Sequence, residues 1–142
     1  MSARVGGRRP EGVDDATVEA VGALTEAFET AERARGRLFD FHQLSGSADA
    51  KAGHAAELLR KAGHADLADA LEEDLVGRNV VPGRWTFQLV EEYEDGYHQA
   101  FRDWELRVRD QLVGGARHVA EAEMKERNTT PGAPGQRLDP SD

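Results

Sequence analysis

Apolar positions recur along most of this chain at the three- and four-residue steps of an α-helix, and no stretch alternates as a strand would. Val21, Leu24, Phe28, Ala31, Arg35, Leu38 and His42 make a heptad seam that predicts a first helix over about 14–44. Asp14 and Asp15 suit its start, where negative charge meets the helix dipole. Ser45-Gly46-Ser47 reads as its end and as a cap for a second helix over 48–62, with Ala55, Leu58, Leu59 and Ala62 inward. Gly63 is placed as a left-handed helix terminator, and a third helix over 65–76 turns Leu67, Leu71 and Leu75 inward before Gly77. The short Gly63-His64 link implies an antiparallel hairpin. Pro82-Gly83 makes residues 78–84 a loop, and Thr86 reads as the N-cap of a fourth helix. Its arc is Leu89, Val90, Tyr93, Tyr97, Ala100, Phe101, Trp104, Val108 and Leu112. Residues 116–127 continue it, kinked, beyond Gly114-Gly115.

These elements predict an all-α protein: a helical bundle of two long helices, about 14–44 and 86–127, with a short helical hairpin between them. Residues 1–13 and 128–142, rich in Gly and Pro, read as a disordered N-terminal arm and a disordered C-terminal tail around one domain over 14–127. The first helix, about 46 Å long at 1.5 Å per residue, exceeds the hairpin that would cover it. The seam is therefore expected to meet a second copy in a homodimer; in the alternative, the fourth helix covers it within one chain.

Composition narrows the partners. Formal net charge is −9; the first ten residues carry +3 and the last fifteen −1, which leaves −11 on residues 11–127. So acidic a body repels phosphate backbones, and no nucleic-acid partner is expected. No cysteine means no disulfide, thiolate metal site or cysteine nucleophile. With no apolar run of membrane length and no apolar stretch after the first arginines, neither a membrane association nor a signal peptide is expected, and the location reads as cytoplasmic.

Chemistry-bearing residues are few. Arg35 and His42 lie on the first seam and Tyr93 and Tyr97 on the fourth helix's arc, so the four are candidates for a buried polar cluster; the competing reading is that they set helix register. Glu91, Glu94, Asp95 and His98 share one side of helix four, and Asp66, Asp69, Glu72 and Glu73 one side of helix three. Such spacing can chelate a divalent metal, but Glu91, Asp95 and His98 fall opposite the apolar arc and read as a solvated face. No E-x-x-H pair of the ferritin-like kind occurs. Arg78, Asn79, Arg84 and Trp85 form a local basic patch that would take an anion or else neutralise nearby carboxylates. No catalytic residue, metal ligand or cofactor follows from these patterns.

The segment from Gly77 to Tyr97, Gly-Arg-Asn-Val-Val-Pro-Gly-Arg-Trp-Thr-Phe-Gln-Leu-Val-Glu-Glu-Tyr-Glu-Asp-Gly-Tyr, resembles one in uncharacterised conserved proteins of high-GC Gram-positive bacteria. The resemblance spans about 39–127 and implies no activity or cofactor. The expected function is a non-enzymatic helical module that self-associates or binds a protein partner. The alternative is a small metal-binding bundle or metal-dependent hydrolase using the acidic residues of helices three and four.

Overall fold

The computed structural model describes residues 8–136 and is all-α: α1 (Asp15–Lys61), α2 (Ala65–Asp74), α3 (Thr86–Tyr93), a π-helical turn (Glu94–His98), α4 (Gln99–Val113), α5 (Val119–Asn128) and a 3₁₀ turn (Pro134–Gln136). Among the described residues the extended structure is a single bridge, Val81 to Arg84, and no helix is long and apolar enough to cross a membrane.

The first correction lies at Ser45-Gly46-Ser47, which does not end a helix: α1 runs through it to Lys61. The reason is packing. Beyond His42 the seam continues through Ser45, Asp49, Ala52, Ala56 and Leu59 at the same three- and four-residue steps. A helical glycine costs only about 1 kcal/mol against alanine, less than an interrupted seam would cost. Asp14 starts the helix, its carboxylate accepting the Thr17 backbone N–H at 2.8 Å. Gly63, at φ 91°, stops it as expected; His64 N–H reaches the Leu59 carbonyl at 2.8 Å and Gly63 N–H that of Arg60 at 3.1 Å. The residue preceding α3 is Trp85 rather than Thr86, and Gln88 Oε1 accepts the Trp85 backbone N–H at 2.9 Å.

The second correction is the single helix expected over 86–127. Gly114 and Gly115 both adopt positive φ and separate α4 from α5. Within 86–113, the π turn adds one residue to a helical turn. An α-helix would place Tyr97 beneath Tyr93; the wider turn places His98 there instead. From that point the inward set is His98, Phe101, Glu105, Val108 and Val113, while Ala100, Trp104 and Leu112 of the expected arc face solvent.

The chain divides into two compact units. Unit 1 joins the segment up to Ala31 with the segment from His98 onward, and its core is Val18, Val21, Val113 and Val119, with Val13, Val108, Ala116 and Ala120 around them. Gly22 lets α5 approach: a Cβ there would lie 3.3 Å from that of Ala120. Residues 8–13, read as part of an arm, are partly packed: Val13 touches this core and the Arg9 guanidinium grips Glu123 with two hydrogen bonds of 2.9 Å. The rest of the expected arm, 1–7, and the end of the expected tail, 137–142, lie outside the described residues.

Unit 2 is Glu32–Tyr97. Here α2 folds back on the end of α1: Ala56 and Ala68 are fully buried, and Gly53 leaves room for Val76. Arg60 of α1 closes the hairpin on Asp69 at 2.7 Å and Glu72 at 3.0 Å.

Candidate functional site

Because α1 carries Arg35 and His42 on its seam, both side chains face other elements of unit 2. Arg35 donates to Glu94 at 2.9 Å, and its Nε is buried without a hydrogen-bond partner. His42 Nδ1 shares a hydrogen bond of 2.7 Å with the Thr86 hydroxyl, and its ring meets Phe39 edge-on at 5.9 Å. These two contacts lie seven residues apart on α1, roughly 10 Å. Tyr93 is half-buried with its ring 5.8 Å from that of Tyr97, but Tyr97 itself is 63% exposed. Of the four residues expected in a buried cluster, Arg35, His42 and Tyr93 are half-buried, while Tyr97 is exposed and so is not a buried member; the π turn that brings in His98 leaves it outside.

The small residues Ser45 and Gly46, which looked like a helix end, instead hollow out the flank of α1. They form one wall of an open groove of about 290 Å³ in unit 2, with Asp49, Gly77, Arg78, Val80, Trp85 and Thr86 completing it. Asp49 accepts the Gly77 backbone N–H at 2.7 Å and so pins the start of the 77–85 loop. The basic patch expected there is spent on carboxylates: Arg84 pairs with Glu92 at 3.0 Å and Arg78 with Asp74 at 3.8 Å. The lining carries one carboxylate, one guanidinium, two hydroxyls and an indole, and its Thr86 hydroxyl is the one bonded to His42.

Three of the seven carboxylates named as possible chelators, Asp69, Glu72 and Glu94, are held by arginines. Asp69 and Glu72 hold Arg60, whose guanidinium is stabilised in its charged form by Glu72 and then Asp69; Glu94 holds Arg35. Glu91 and Asp95 are exposed, and His98, expected among them, is buried against Phe28 at a centroid distance of 5.7 Å. One other set of donors converges, in unit 1: Glu29, His118 and Glu121, with one ligand atom from each within 4.8 Å of the others. Glu121 lies in the first turn of α5, where the helix dipole already favours a carboxylate, and Glu29 and His118 are exposed.

Among the described residues the buried polar side chains are His98, which the apolar arc places on a solvated face, and Glu105, which no sequence pattern singles out. Glu105 accepts from Arg109 at 3.0 Å and from the Thr25 hydroxyl at 3.2 Å, and Arg109 also donates to the Gly115 carbonyl at 2.8 Å. The network fastens α4 to α1 and to the glycine turn of unit 1. The one signal that could have located it is Gly96, a poor α-helix former where the turn widens. Compared with known proteins, the chain matches no family model, no curated protein and no solved structure.

Proposed function

We propose that this protein is a non-enzymatic helical module that works by self-association, with the homodimer as its working form. The observation that carries the reading is the imbalance within unit 2. Of its 66 residues, Glu32 to Tyr97, three apolar ones are buried: Ala56, Ala68 and Val90. Many of its large apolar side chains are instead exposed, among them Phe39, Phe41 and Leu44 on α1 and Trp85, Phe87 and Tyr97 further on. A unit of this size gains little from so small a core, and exposed apolar side chains in such number favour a covering partner. The heptad seam first expected at the interface is not the surface in question. Val21 and Ala31 are buried and the rest of it is half-buried, so it is satisfied inside the chain.

Light scattering over a concentration series tests the proposal. A mass rising from 15.6 kDa toward twice that value with concentration is expected. A mass fixed at 15.6 kDa up to about 100 μM, far above the Kd of a specific dimer, would overturn it.

A further inference from the structure

The continuity of α1 through Ser45-Gly46-Ser47 creates a second seam on the helix. Phe41, Leu44, Ala48, Lys51, Ala55 and Leu58 follow one another at steps of three and four residues, and all six are exposed. They are displaced around the helix from the seam of His42, Ser45, Ala52, Ala56 and Leu59, which is buried or half-buried. Two heptad seams on one helix, one covered and one bare, call for a second helix on the bare side. Leu44, at 68% exposure, is the most open of the large apolar side chains.

We propose that this seam pairs with the same seam of a second copy, antiparallel, about a twofold axis level with Asp49 and Ala50. The inference rests on the self-association reading and specifies its surface. In that register Phe41 lies opposite Leu58 of the partner subunit, Leu44 opposite Ala55 of the partner subunit, and Ala48 opposite Lys51 of the partner subunit. Leu44 and Lys51 each meet an alanine, as close helix packing requires. The Lys51 stem lies along the seam and its ammonium reaches water. Flanking charges choose the direction. Asp40 falls beside Lys61 of the partner subunit, and symmetry repeats the pair; both residues are exposed and neither forms an ion pair with a described residue of its own chain. A parallel, in-register pair would stack Lys51 on its own copy and leave Asp40 and Lys61 unmatched, so charge favours the antiparallel arrangement.

The chain has no cysteine, so single cysteines at Ser47 and Arg33 accept spin labels without background. The antiparallel pair places the two labels at 47 roughly 8 Å apart along the axis and those at 33 roughly 50 Å apart. Electron–electron distance measurements on the full-length dimer should therefore return one short and one long distance. Two short distances mean a parallel pair, and two long ones a different face; either overturns this inference while self-association stands. Asp40→Lys and Lys61→Asp should each weaken the dimer about fivefold to tenfold, and the double reversal should restore it. Failure of the double variant to recover, with helicity unchanged by circular dichroism, also counts against it. A chain that is monomeric throughout the concentration series overturns the self-association reading and this inference together.

Discussion

The Phe28 ring lies 5.7 Å from the imidazole of His98, and His98 is only 1% exposed. Both facts follow from the five-residue turn at Glu94–His98, which carries the inward face from the α-helical position, Tyr97, to its neighbour. Deleting Gly96 should let the turn relax to α-helix while keeping the phase on both sides, so the melting temperature is expected to hold or rise. Inserting an alanine after Gly96 should turn α4 by about 100° and swing His98 and Glu105 toward solvent, with loss of cooperative melting. Equal damage from deletion and insertion, in thermal melts followed by circular dichroism, would show that the wide turn itself is required.

Glu105 and Arg109 are side chains about one-tenth exposed that neutralise one another at 3.0 Å. Glu105→Ala leaves a covered guanidinium without its carboxylate and is expected to cost about 3–5 kcal/mol in urea denaturation. The double change Glu105→Leu with Arg109→Met removes both charges and should cost less than Glu105→Ala alone. A double variant worse than the single would mean that the Arg109 bond to the Gly115 carbonyl dominates.

Asp14 gives a pH dependence. Hydrogen bonds from the Thr17 side chain and backbone N–H hold its carboxyl below the ordinary carboxylate range. A group depressed on folding stabilises above its unfolded pKa, near 3.8, and loses that contribution as pH falls through the lower folded value. The gap in melting temperature between the native protein and Asp14→Ala should therefore be open at neutral pH and close in strong acid. A gap that persists unchanged in acid would mean the cap works without its charge.

The helices were legible in the sequence because their apolar period is strong, and Gly63, Gly77 and Pro82-Gly83 marked their ends locally. Two features were not. Ser45-Gly46-Ser47 carries local breaking signals, yet the seam on either side keeps one phase, and packing overrides propensity there. At Glu94–His98 the period slips by one residue without Pro or a run of glycines, so a reading at 100° per residue puts Tyr97 and Trp104 inside and His98 and Glu105 outside. The same slip puts Tyr97 outside, whereas Arg35 and His42 do lie on the inward seam, where they meet Glu94 and Thr86.

Self-association through the bare seam of α1 is tested most directly by the oligomeric state of Leu44→Glu. Leu44 is 68% exposed within its own chain, so the substitution leaves the intramolecular packing of α1 untouched. Sedimentation equilibrium of the native protein should give a species of twice 15.6 kDa, and Leu44→Glu at the same concentration should give one near 15.6 kDa with unchanged helicity. A native protein that sediments as a monomer, or a Leu44→Glu variant as dimeric as the native protein, would contradict self-association through this seam.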